Sequence, residues 1–122
     1  MFDKLEIEYW LNYATADLNS AKVLLENTND YHISIYHSHQ AIEKIMKRFF
    51  MLNNMEFPFI HDLIALYNKI KNILIIDENQ LKDLNYITKL YADTRYPKGD
   101  SLTCEEAEKA LNIAQNFFAL LK

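Results

Sequence analysis

Between Tyr31 and Asn53 the chain reads YHISIYHSHQAIEKIMKRFFMLN, and at about 100° per residue its apolar positions crowd onto one side of a helix. Ile35, His39, Ile42, Ile45, Met46, Phe49, Phe50 and Leu52 share a broad arc, with His37, Gln40, Lys44, Lys47 and Arg48 opposite. So wide an apolar face needs other helices on two or three sides. The pattern predicts a central helix, and its polar edge is the first candidate for a functional surface.

The flanking segments repeat the helical period. From about Leu5 to Asn27, Trp10, Ala14, Leu18, Ala21, Leu24 and Leu25 form one stripe. Asp17 falls inside that stripe. It either sits at the margin and bends to water or is buried against a cation, with His39 and Arg95 as candidate partners, because an unpaired buried charge is costly. Asn27 to Asp30 breaks the helix, and Asn29 or Asp30 can cap the next. Pro58 forces an extended approach at Phe57. A third helix is expected from about His61 to Asn72, with Leu63, Leu66, Tyr67 and Ile70 inward and Asp62 in its first turn. Residues 72–76 read equally as a buried connection or a short extended segment.

Asp77 followed by Gln80 is a capping pair, opening a fourth helix through Leu81, Leu84, Ile87 and Tyr91. DTRYPKGD, residues 93–100, holds the second proline and the only glycine and is the main loop. Thr103 with Glu106 forms a second capping box before a final helix carrying Ala107, Ala110, Leu111, Ala114, Phe118 and Leu121. The prediction is all-α, an up-and-down bundle of four or five helices.

Composition sharpens this picture. One glycine and two prolines leave little material for hairpin turns and none for a glycine-rich phosphate loop, which favours helices over sheet. A length of 122 residues supports one domain, residues 1–122. No apolar run approaches the roughly 20 residues of a membrane span, and the acidic N-terminus lacks signal-peptide character, so a cytoplasmic protein without membrane attachment is expected. The single cysteine, Cys104, fits a reducing compartment and forms no internal disulfide. A net charge of −4 gives the whole molecule no electrostatic pull toward nucleic acid, so any such binding must use a local basic face.

That local face has candidates. Lys44, Lys47 and Arg48 are spaced i, i+3, i+4, so their charges repel and an anion such as phosphate would relieve them. The competing reading is a solvated lysine-rich face near a helix C-terminus. Gln40 adds an amide beside them, and Glu43 lies within a turn of Gln40, Lys47 and His39. Arg95 offers a planar fork for phosphate and Tyr96 a ring for base stacking, both in the main loop. Arg95 could equally pin that loop through Asp17 or Glu43. His61 is a candidate phosphate donor or partner of the central helix. The ligand-binding set is therefore Gln40, Glu43, Lys44, Lys47, His61, Arg95 and Tyr96.

Catalysis and metal binding have less support. His37 and His39 point about 200° apart on a helix and cannot share an ion. His39 with Glu43 is half a metal site without the remaining ligands. Cys104 is flanked by Glu105 and Glu106, which disfavour a thiolate. No catalytic residue, metal or cofactor is assigned.

The motifs QAIEKIMK, His61-Asp62-Leu63 and Arg95-Tyr96-Pro97, in that order, resemble the HEPN domain family of small all-helical proteins, and ATADLNSAKVLL resembles its first helix. The resemblance spans nearly the whole chain. It implies a HEPN-like bundle, a homodimer, nucleotide or RNA binding, and a minimal nucleotidyltransferase partner in a toxin-antitoxin-type system. Many family members are ribonucleases marked by an arginine followed after four to six residues by histidine. Here the windows after Arg48 and Arg95 read Asn53-Asn54-Met55 and Asp100-Ser101-Leu102. That departure argues against cleavage by the family's mechanism and leaves a binding role; the alternative is a ribonuclease toxin with a nonstandard set such as His61, Arg95 and Tyr96. An apolar surface rich in Phe, Tyr and Ile likewise points to a dimer.

Overall fold

The computed structural model describes residues 2–95 and 101–122. Within them five helices follow one another: α1 (Lys4–Asn27), α2 (Tyr31–Leu52), α3 (Leu63–Ile70), α4 (Glu78–Thr94) and α5 (Cys104–Leu121). No strand occurs among the described residues, so the fold is the all-α bundle that the periodicity predicts. Helix α2 touches each of the other four. Its arc supplies the centre of the core: Ile35, Ile42, Ile45, Met46 and Phe50 are fully buried against Leu63, Leu66, Leu84, Ile87, Ala110 and Ala114. Leu52, at the end of the arc, is exposed instead because the helix stops there.

Local chemistry explains the boundaries. Helix α4 begins at a reciprocal capping box, in which Asp77 accepts from the Gln80 amide and Gln80 accepts from the Asp77 amide. Thr103 and Glu106 do the same for α5. Helix α2 ends before the proline is reached. Asn54 adopts φ 54°, the Asn54 amide donates to the Met51 carbonyl at 3.1 Å, and the Met55 amide donates to the Phe50 carbonyl at 2.9 Å. That is a Schellman termination with asparagine in the position usually given to glycine, in a chain that has only one glycine.

Three expectations are corrected. Helix α3 is shorter than expected, because Asp62 is its cap rather than a residue of its first turn: Asp62 Oδ1 accepts from the Ile64 and Ala65 amides. His61 therefore lies outside the helix. At the start of α2, Asp30 occupies the cap position without a side-chain cap bond, and the Thr28 hydroxyl instead accepts from the Asp30 amide at 3.0 Å. Residues 71–74 turn back on the end of α3, with the Ile73 and Leu74 amides donating to the Ile70 carbonyl, and an irregular connection follows; Leu74 is tucked inward and Ile75 exposed.

Candidate functional site

The polar edge of α2 is largely internal. Ser34, Ser38, Gln40, Glu43 and Lys47 are all buried along with the apolar arc, so the helix is enclosed nearly all round and each of its charges needs an internal partner. Toward α1, buried Asp17 accepts from the Lys44 ammonium and lies 2.8 Å from His37 Nδ1. Asp17 is thus the buried, paired carboxylate of the second reading, but with Lys44 and His37 in place of His39 or Arg95. Those two residues stand on the α1 side of α2, while His39 faces the opposite way.

The three cations expected to share an open face are separated by their partners. Lys44 belongs to Asp17. Lys47 is 5% exposed, 3.0 Å from Glu43 Oε2, with its ammonium 5.9 Å from the centre of the Trp10 ring and 5.5 Å from that of Phe57. Arg48 reaches the carbonyls of Leu121 and Lys122 at 3.4 Å and ties down the end of α5. Their mutual repulsion is relieved by protein groups.

Glu43 does more than balance Lys47. Both of its oxygens lie 3.1 Å from His61 Nδ1, so a carboxylate that is 4% exposed meets a ring that is 63% exposed. His61 reaches it from the segment just ahead of the Asp62 cap, after a tight turn in which the Ile60 amide donates to the Pro58 carbonyl at 2.9 Å. On the other flank of that contact, fully buried His39 stacks on Tyr91 of α4 with ring centres 3.6 Å apart. Neither His39 ring nitrogen has a partner among the described residues. Burial, reinforced by the positive charges of His61 and Arg95, lowers its pKa to about 3, so the ring is neutral at physiological pH. The Tyr91 hydroxyl has its pKa raised chiefly by burial, while the neighbouring Gln40 side chain acts in the opposite sense.

These groups enclose a pocket of about 380 Å³ between α2, α4 and the start of α3. Buried His39 and half-buried Thr88 and Tyr91 line its inner wall, and exposed His61, Asp62 and Arg95 its outer one. The Arg95 guanidinium carbon stands 5.7 Å from the centre of the Tyr91 ring. An aromatic wall with one planar cation and one imidazole at the mouth is chemically suited to a flat ring carrying an anionic group.

Of the residues singled out in the sequence, His61 and Arg95 line this pocket, Gln40 stands behind it through Tyr91, and Glu43 with Lys47 stands behind it through His61. Lys44 is elsewhere, on the α1 side. Tyr96 and Pro97 lie outside the described residues. Sequence reasoning missed His39 and Tyr91 as pocket residues because each falls on an apolar stripe and reads as core, and it gave Thr88 no role; an ionisable ring in the middle of such a stripe was the available signal. No group of three or more potential metal ligands occurs among the described residues. Cys104 opens α5 with its thiol donating to Glu108 Oε1 at 3.5 Å. No helix among the described residues is long and apolar enough to cross a membrane.

Comparison with known proteins agrees with the fold. A family model described as the HEPN domain matches residues 7–122. A candidate toxin of Methanocaldococcus jannaschii is 33% identical over 129 residues, covering 93% of this chain and 84% of that protein. The crystal structure of a Thermus thermophilus protein, TT1696, superposes with a TM-score of 0.83 at 24% identity over 94% of each chain. A crystal structure described as an archaeal HEPN homologue, ST0689, gives 0.75 at 20% identity, covering 94% of this chain and 93% of that one. At these identities the two structures speak to the fold.

Proposed function

The chain belongs to the HEPN domain family, and on that premise we propose that it is a binding module that holds a nucleotide, free or as part of an RNA, in the pocket between α2 and α4. The observation that carries this reading is the pairing of Arg95 and His61 at the mouth of a cavity whose inner wall is Tyr91 and neutral His39. A base has an aromatic wall to lie against, and a phosphate has a fork and an imidazole to meet it. About 380 Å³ is within the range of small-ligand sites. Isothermal titration with AMP and with a short RNA oligonucleotide tests it. Saturable binding that falls about tenfold or more in Arg95→Ala is expected. Absence of binding to both ligands refutes the reading.

The wider assignment follows the family: a cytoplasmic homodimer, working with a minimal nucleotidyltransferase partner in a toxin-antitoxin-type system. The likeness to a candidate toxin supports the last element. Co-expression with a nucleotidyltransferase encoded beside the gene, followed by purification through a tag on one chain, checks the partnership.

One observation favours a second reading, a ribonuclease toxin. His61 is held by a buried carboxylate next to an arginine, an arrangement that also suits proton transfer beside a phosphate. RNA cleavage by the purified chain, abolished in His61→Ala, would select the enzyme over the binding module.

A further inference from the structure

The pocket's polar mouth rests on a buried ion pair that does not itself line the cavity. The Glu43 and Lys47 side chains are both buried, one turn apart on α2, and 3.0 Å from each other. A pair this deep is weak evidence for stability, because removing two ions from water costs about what their attraction returns. Its arrangement points to another role. Lys47 is enclosed by Trp10 and Phe57, which leaves it no route to solvent, whereas Glu43 turns both oxygens to a histidine outside the core. A carboxylate can only accept, so the contact places the His61 proton on Nδ1 and leaves Nε2 as the nitrogen free for a ligand.

We propose that the Glu43–Lys47 pair is a positioning device rather than part of the ligand contact surface: it fixes the direction of His61 through Nδ1–H so that, in the doubly protonated ring, Nε2–H and the Arg95 guanidinium form a two-point clamp for a phosphate group. The inference rests on the nucleotide-pocket reading and assigns the polar half of that site. An anion at Nε2 is met by a donor when the ring carries both protons, and Glu43 is the counter-ion for that form. The other charged groups around the ring fit the same assignment. Asp62 is committed to the α3 amides, Lys47 neutralises Glu43 from behind, and Arg95 stands across the pocket. Such indirect orientation of a contacting histidine by a buried carboxylate is the general means of keeping a flexible, exposed ring in one productive pose.

The test is a thermodynamic cycle on the full chain, titrating AMP and inorganic phosphate into wild type, His61→Ala, the paired replacement Glu43→Leu with Lys47→Met, and the triple variant. Replacing both ions by apolar groups of similar size leaves no orphaned charge, and thermal melts followed by circular dichroism check that the bundle persists. AMP affinity is expected to fall roughly tenfold in His61→Ala and by a similar factor in the paired replacement, with no further loss in the triple variant. Additive losses in the triple variant, or undiminished affinity in the paired replacement, overturn the inference. Long-range proton–nitrogen spectra of the wild type provide a readout that does not depend on any variant folding. His61 protonated at Nδ1 is expected, and a ring protonated only at Nε2 is incompatible with the proposal. Binding that needs Arg95 and ignores His61 would leave the nucleotide pocket standing and remove the clamp; a wild type that binds neither probe removes both.

Discussion

His39 is fully buried and neither of its ring nitrogens has a partner among the described residues, and this has a measurable consequence in acid. Its folded-state pKa is about 3 against 6.5 in the unfolded chain, so between those values the unfolded state binds a proton that the native state refuses. The associated stability is complete above pH 6.5 and is lost as pH falls toward 3, at up to about 1.4 kcal/mol per unit. His39→Phe keeps a ring against Tyr91 and removes the titrating group. Urea midpoints measured from pH 7 down to pH 4 should fall less steeply for the variant than for wild type; parallel curves would show that the histidine can be protonated in place. Asp17 is the complementary case. Asp17→Asn leaves the Lys44 ammonium without its counter-ion and should lower the unfolding free energy by about 3 kcal/mol, with part recovered by adding Lys44→Met. That Asp17 could need a partner was one of two readings open to a carboxylate in an apolar stripe. Which partner was not, because Lys44 lies 27 residues away and reaches Asp17 only through the register at which α1 packs on α2.

Helix ends separate what local sequence determines from what packing determines. Asp77→Ala and Thr103→Ala each remove the acceptor of a reciprocal capping box and should cost about 1 kcal/mol, a fall in melting temperature of roughly 4 °C by scanning calorimetry. Asp30→Ala removes a side chain that makes no cap bond, so its effect should stay within about 0.5 kcal/mol. A capping box is a four-residue pattern and could be read directly. The polar edge of α2 could not. Periodicity assigns Gln40 and Lys47 to the side away from the apolar arc, which for a peripheral helix means water. Here α1 and the approach to α3 cover that side as well, so Trp10 and Phe57 close over Lys47. Polar residues that a helical period alone would leave in solvent thus become the interior of the site's support, and only the three-dimensional crossing of these elements reveals it.

At the scale of the whole molecule, surface chemistry sets the terms of association. Leu5, Tyr9 and Tyr13 stand one turn apart on α1, each more than half exposed, and the two tyrosine rings stack with centres 6.4 Å apart. That apolar strip is the surface on which the proposed homodimer would close, and light scattering should report a mass that drops to the monomer in Tyr9→Lys with Tyr13→Lys; a wild-type monomer at micromolar concentration rejects it. Charge decides what the pocket can hold. The molecule carries a net −4, and Lys44, Lys47 and Arg48 are spent on Asp17, Glu43 and the end of α5. Among the described residues, the cationic groups that face a ligand at the pocket are Arg95 and His61, enough for one or two phosphates. Each phosphate neutralised on a single strand adds about −0.7 to the slope of log affinity against log salt. The slope for a short RNA should therefore lie between about −0.7 and −1.4, measured by fluorescence anisotropy from low to physiological salt. A slope near −4 would require an extended basic track, and the internal pairing of the α2 cations provides none.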